Sequence, residues 1–386
     1  MEKRIYFDHA ATTPLDKRVL EKMTPYFTDV FGNANSQHMF GRDAVKAVDE
    51  ARDTVAKIIG AKPSEIYFTS GGTESNNLAI LGAAMANRRR GMHLITTEVE
   101  HPAVSSPMKF LEEQGFTVTR LKVDRDGLIS LEELEHAIRP DTILVSVMYV
   151  NNEIGAVEPV EEAARVIHSR NPETLFHVDA IQAYGKYMIY PGRTGIDLMS
   201  VSGHKIHGPK GVGFLYVKEK TRIIPVMYGG GQQKNMRSGT ENVPGIAGLG
   251  QAAQEAYEDF SGKQAYLYGL KERFLAGLAG LEWAHVNGRT GRDSAPHIIS
   301  LSVDGVRSEV LLHGLEDKEI YVSAGSACAS NKPAPSSTLQ AIHVKREYLD
   351  STIRISFCRE NTPEEVDECL DVLKSLVPVL QRYTRH

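Results

Sequence analysis

The residues best suited to chemistry sit in the stretch Ser200-Val201-Ser202-Gly203-His204-Lys205-Ile206-His207-Gly208-Pro209-Lys210-Gly211-Val212-Gly213-Phe214. An apolar run ends in small and polar residues, presents His204-Lys205, and turns through glycines into a second strand-like run. A lysine held between two strands at such a turn is placed to form an imine with an aldehyde cofactor. Burial beside another cation lowers an ammonium pKa and frees the amine as a nucleophile. The chain has 44 Lys and Arg residues, most of them solvated, so the lysine needs support from elsewhere.

That support comes from polar residues placed just after other apolar runs. Gly71-Gly72-Thr73 lies between a strand-like run and a helical one. Free N–H groups at a helix start favour an anion, and Thr73 adds a hydroxyl; a plain N-cap is the simpler role. Asp179 ends the run Phe176-His177-Val178. A carboxylate there is costly unless it meets a cation, and a protonated pyridine nitrogen would serve, as would capping of the next helix. His101 follows a strand in Glu100-His101-Pro102, where an imidazole can stack on a ring or move protons. Asn152 follows another, in Tyr149-Val150-Asn151-Asn152-Glu153. Arg354 alternates with Ile353 and Ile355, so it faces away from them. Its guanidinium suits a carboxylate or an edge-strand salt bridge. Cys328 sits among Ser, Ala, Gly and Pro, the setting of a reactive thiol in an exposed loop. Cys358 and Cys369 read as structural thiols.

The elements that must position these residues alternate. Helical patterns are expected over about 16–27, 36–59, 78–90, 103–113, 130–138 and 161–169. Strands are expected at 66–69, 93–97, 117–123, 143–147 and 175–178. Such alternation implies right-handed crossovers and an α/β fold with a mostly parallel sheet, whose ligands bind beyond the carboxyl ends of the strands. From about Gly245 a long helix with a break near Ser261-Gly262 leads to shorter strands and a final helix over 363–383. This predicts a large domain over 15–260 and a smaller α+β domain formed by 1–14 and 261–386.

Composition narrows the class. The chain has 386 residues, 41% apolar and 24% charged, with a formal net charge of -5. That is an ordinary globular composition with no basic footprint for nucleic acid and no run long enough to span a membrane. Three cysteines without CxxC spacing suit a reducing cytoplasm.

Taken together, these motifs resemble the NifS/IscS-type cysteine desulfurases of the class V aminotransferase family, enzymes of pyridoxal 5'-phosphate fold type I (aspartate-aminotransferase-like). The resemblance runs from Tyr6–Pro14 through Gly32–His38, Gly71–Asn77, Arg237-Ser238-Gly239-Thr240 and Ser323–Ser330 to Ile353-Arg354-Ile355-Ser356. It implies Lys205 as the Schiff-base lysine, Asp179 facing the pyridine nitrogen, Gln182 on the ring oxygen and His101 stacked on the ring. Gly72, Thr73, Ser202 and His204 would hold the phosphate, and Thr240 would reach the phosphate of the other subunit of a homodimer. Arg354 and Asn152, assisted by Asn33 or Asn35, would hold the carboxylate of L-cysteine. Cys328 would take the sulfur as a persulfide, with release of L-alanine, and pass it to an acceptor or iron–sulfur scaffold protein for cluster assembly or tRNA thiolation. No resident metal is implied; at most Cys328 touches a cluster in transit. Selenocysteine lyases and type I aminotransferases share this pocket, and a partner-dependent sulfur-relay platform is the reading from another class. The loop after Cys328 lacks the histidine that often follows Pro-Ser in relatives. Its Ser-x-Gly-Ser-Ala-Cys form, and the 26 positions from Cys328 to Arg354, resemble the long-loop class.

Overall fold

The computed structural model describes residues 4–324 and 336–384. After β1 (Ile5–Tyr6) come the seven strands of one sheet: β2 (Ile66–Thr69), β3 (His93–Thr97), β4 (Thr117–Leu121), β5 (Thr142–Met148), β6 (Leu175–Asp179), β7 (Leu198–Ser202) and β8 (Gly213–Val217). Their order in space is β2-β8-β7-β6-β5-β3-β4. β8 runs antiparallel to both its neighbours, and the remaining pairings are parallel. The inner strands are apolar along their length because helices cover both faces; every residue of β3, β5 and β7 is buried. One apolar cluster fills each face, the larger built around Val178, Met199, Val201 and Phe214, the other around Leu94, Leu144, Leu198 and Leu215.

A second sheet, entirely antiparallel, has the order β12-β13-β10-β9, with β9 (Ala284–Asn287), β10 (Ile298–Val303), β12 (Ser323–Ala324) and β13 (Thr352–Ser356). β1 pairs in parallel with β11 (Ile320–Tyr321). A separate core joins Ile5 and Phe7 to Phe274, Leu301, Ile353, Ile355, Phe357 and Leu373. The N-terminal strand is therefore packed with the C-terminal third of the chain.

Three element boundaries differ from the sequence reading, each for a local reason. The helix expected from residue 78 starts at Gly72, because the glycine turn itself forms the first turn. The helix expected over 16–27 divides into Lys17–Met23 and Pro25–Thr28, since Pro25 has no N–H to continue the first ladder. The break expected at Ser261-Gly262 lies at Glu258–Asp259, between helices Val243–Tyr257 and Phe260–Leu278, where Asp259 has φ 45°. Gly262 is inside the second helix because the Asp259 carboxylate occupies the space a Cβ would need, 2.4 Å from an Oδ. β13 lies between β12 and β10, so the edge-strand role considered for Arg354 does not apply. Among the described residues no helix is long and apolar enough to cross a membrane.

Candidate active site

The site is assembled at the carboxyl ends of β2, β3, β5, β6 and β7. β7 ends at Ser202, and the turn Gly203–Lys205 that follows carries the lysine. Lys205 Nζ donates to the carbonyls of Ala10 and Ala11 at 2.5 and 2.7 Å. Gln182 Nε2 donates to the same Ala10 carbonyl at 2.9 Å, and its Oε1 lies 3.2 Å from His297 Nε2. The segment after β1 therefore crosses the ends of β6 and β7. It is fastened there by Thr13, whose N–H and hydroxyl both donate to the His204 carbonyl at 2.9 Å.

Asp179 closes β6 and is 5% exposed. It accepts from the Ile181 N–H at 3.0 Å and from Asn76 Nδ2 at 2.8 Å. Burial nevertheless raises its pKa, against the pull of those two bonds and of His101 and Lys205. A buried carboxylate whose hydrogen bonds do not offset its desolvation is one that a cation would stabilise. His101 caps the helix Pro102–Glu113, its Nδ1 accepting from the Ala103 N–H at 3.0 Å. Burial first, then Lys205, lowers its pKa, opposed by Asp179, so the imidazole is neutral near pH 7. His101 and Thr73 line one cleft of about 470 Å3 with Asn77, Ser106 and Phe110.

The anion-binding end is set by two glycines. Gly71 has φ 141°, a region L side chains rarely adopt, and a Cβ on Gly72 would meet Ile181 Cδ1 at 2.1 Å. The helix Gly72–Asn87 consequently opens against Ser202, whose Oγ is 3.6 Å from where a Gly71 Cβ would lie. Ser202 is buried, whereas Thr73 is exposed at the helix start. His204 Nδ1 pairs with Thr12 Oγ1 at 3.1 Å, and burial, then Lys205, brings its pKa to about 4. Arg237 ties the segment carrying Thr240 to Glu74 in the first turn of that helix, at 2.7 and 3.2 Å, and Thr240 itself is exposed.

Arg354 projects from the middle of β13. It donates to Asp8 Oδ1 at 2.7 Å and to the Asn152 carbonyl at 2.9 Å. Its Nε is buried without a hydrogen-bond partner among the described residues. Asn152 and Arg354, 202 positions apart, are thus in contact. Asn33 and Asn35 form an exposed turn in which Asn35 N–H donates to Asn33 Oδ1 at 2.9 Å; no contact joins them to Lys205 among the described residues. Cys328 lies outside the described residues. Cys358 and Cys369 are free, buried thiols, each raised to about 12 by burial.

Two members of this assembly escaped the sequence reading. Asn76, the donor to Asp179, looks in sequence like any polar helix residue. Asp8, the partner of Arg354, was visible only as part of the polar, small-residue stretch after β1.

These residues fit pyridoxal 5'-phosphate. Asp179 is a buried carboxylate in want of a cation, the Gly71-Gly72 turn opens a helix N-terminus beside Ser202, and Lys205 lies on the turn that follows Ser202 at the end of β7. When bound, the group supplies an electron sink for a bond breaking at the substrate α-carbon.

Comparison with known proteins places the chain in a family. The family described as Aminotransferase class-V matches residues 5–369. The chain is 46% identical over 380 residues to the cysteine desulfurase IscS of Neisseria meningitidis serogroup C (strain 053442), covering 98% of this chain and 93% of that one. It is 43% identical over 379 residues to the cysteine desulfurase IscS of Methanosarcina thermophila, with the same two coverages. Among solved structures it is similar to a NifS-like protein at TM-score 0.93 and 40% identity, covering 98% of this chain and all of that one. It is also similar to SspA in complex with cysteine at TM-score 0.81 and 35% identity, covering 93% of this chain and all of that one.

Proposed function

This chain belongs to the class-V aminotransferase family and is a pyridoxal-phosphate-dependent cysteine desulfurase of fold type I, and from that premise we propose how its own residues divide the work. The observation that carries the proposal is the Lys205 amine lodged on the Ala10 and Ala11 carbonyls within electrostatic reach of both Asp179 and His101. Lys205 would hold the cofactor through its aldehyde, Asp179 would favour the protonated ring nitrogen, Gln182 would meet the ring oxygen and His101 would lie on the ring face. Gly72, Thr73, Ser202 and His204 would take the phosphate. The unpartnered Arg354 Nε, with Asn152 beside it and Asn33 or Asn35 assisting, takes the carboxylate of L-cysteine.

With L-cysteine bound, the Lys205 amine would remove the α-proton. Cys328 thiolate attacks the substrate sulfur. A sulfur–sulfur bond forms as the carbon–sulfur bond breaks, the electron pair left on the β-carbon takes up a proton, and the α-carbon regains the proton held by Lys205, giving L-alanine. The persulfide on Cys328 then passes to an acceptor or iron–sulfur scaffold protein, for cluster assembly or tRNA thiolation. The free thiols of Cys358 and Cys369 favour a reducing, cytoplasmic setting.

A homodimer with shared sites completes the reading, Thr240 reaching the partner's phosphate. Supporting it are Phe27, Phe31, Met39 and Phe40, between 48% and 67% exposed, an apolar area of the kind that marks an interface. The core shared by Ile5, Phe7 and the C-terminal third supports a small domain of 1–14 and 261–386 against a large one of 15–260.

The test is mass spectrometry after incubation with L-cysteine. One added sulfur on Cys328 is expected, and Cys328→Ser should keep the cofactor's visible absorbance while forming no persulfide. A Cys328→Ser protein that releases alanine at the parent rate would overturn the nucleophile assignment, and an α-keto acid product would indicate transamination.

A further inference from the structure

Beside Lys205 lies a cavity of about 50 Å3 lined by Lys186, Lys205, His9, His207, His297 and Cys358. Lys186 reaches it because the chain leaving Asp179 turns at Gly185, φ 78°, where a Cβ would stand 2.9 Å from Ile206 Cγ2 and 3.1 Å from Ala256 Cβ. Only glycine allows that approach. The turn is pinned from outside: Gly185 N–H donates to Tyr257 Oη at 3.0 Å, and Gln264 Nε2 donates to the Lys186 carbonyl at 2.7 Å. Lys186 Nζ is thereby delivered to the Lys205 carbonyl at 2.6 Å.

We propose that Lys186 is a positioning residue for Lys205, a second enclosed cation that fixes the backbone of the lysine turn and disfavours protonation of the Lys205 nitrogen. No carboxylate lines the cavity among the described residues. Its other cations are Lys263, which donates to the Glu255 carbonyl, and Arg359, which is paired with Asp16. Glu360 stands on the exposed side of His207, 3.8 Å from Nδ1. Lys186 therefore has no carboxylate partner in the cavity, and the Cys358 thiol is the lining group that favours its charge. That charge acts on its surroundings, lowering the proton affinity of His9, His204, His207 and His297. The effect is mutual: burial, then Lys205, lowers the Lys186 pKa to about 7. A like charge held at a lysine lowers its pKa and leaves more of it as the free amine, the form that bonds an aldehyde or accepts a proton.

The inference rests on the reading of Lys205 as the cofactor lysine, and its test is chosen to separate the two. In the holoenzyme, the visible absorbance of the bound cofactor is titrated with pH in Lys186→Met, which removes the charge. The midpoint should rise by about one pH unit, a tenfold shift in protonation, while Lys186→Arg, which keeps the charge, should show no such rise. A wild-type midpoint in cofactor-loaded Lys186→Met would overturn the proposal, as would an equal rise in Lys186→Arg. If Lys186→Met does not fold, Lys186→Gln, which keeps a donor for the Lys205 carbonyl, is read by the same criterion. A Lys205→Ala control that kept the absorbance would instead defeat the reading of Lys205.

Discussion

At the scale of single residues, the site depends on charges that are incomplete until ligands arrive. Asp179 is buried and its pKa raised, and Arg354 has an Nε without a partner among the described residues, beside its ion pair with Asp8. Lys205→Ala is expected to abolish the visible absorbance of the bound cofactor, read by spectroscopy of the purified protein. Asp179→Asn should lose the ring-nitrogen charge and one of the two acceptors that meet the Ile181 N–H and Asn76 Nδ2, lowering kcat by about a hundredfold or more, with cofactor content measured in parallel. Arg354→Lys removes the planar fork that spans Asp8 and the Asn152 carbonyl and that is proposed to hold the substrate carboxylate. Its KM for L-cysteine should rise at least about tenfold, because a point charge does not replace a bidentate donor.

At the scale of elements, buried acids accompany the candidate site residues near the strand ends. Glu158, 3% exposed after β5, accepts from the Ile129 N–H at 3.1 Å, and burial raises its pKa from 4.5 to about 8. Its folded pKa lies above its unfolded one, so the folded state binds more protons between the two. The associated stability is complete below about pH 4.5 and is lost as pH rises through about 8. Thermal unfolding should therefore show Tm falling from pH 6 to pH 9. Glu158→Gln, neutral throughout, should remove much of that fall, worth a few kcal/mol at the alkaline end. The helix start at Gly72 is equally constrained: Gly72→Ala places a Cβ against Ile181, next to Asp179, and should weaken cofactor retention on dialysis.

At the scale of the whole molecule, two cores meet over one site. The segment Asp8–Thr13 runs from the smaller core across the ends of β6 and β7, so the Ala10 and Ala11 carbonyls, Asp8 and Arg354 all arrive from outside the large sheet. Sedimentation of the purified protein should give twice the chain mass. A charged substitution such as Phe31→Glu should shift it toward the monomer and lower activity with it, if the partner's Thr240 completes each site.

Much of this was visible in the chain alone. Alternating apolar runs with polar residues at their ends specify parallel strands and the side of the sheet that binds. That pattern singled out Lys205, Asp179, His101 and Gly71-Gly72-Thr73, because a polar residue ending a buried strand is unusual enough to be noticed by itself. Contacts between distant segments leave no such mark. Asn76 meeting Asp179, Asp8 meeting Arg354 across 346 positions, and Lys186 beneath the Lys205 carbonyl arise from crossovers and from the return of β13 onto the N-terminal strand. Spacing along a chain reports periodicity within one element; which elements become neighbours is decided by packing, and the tertiary structure alone supplied those partners.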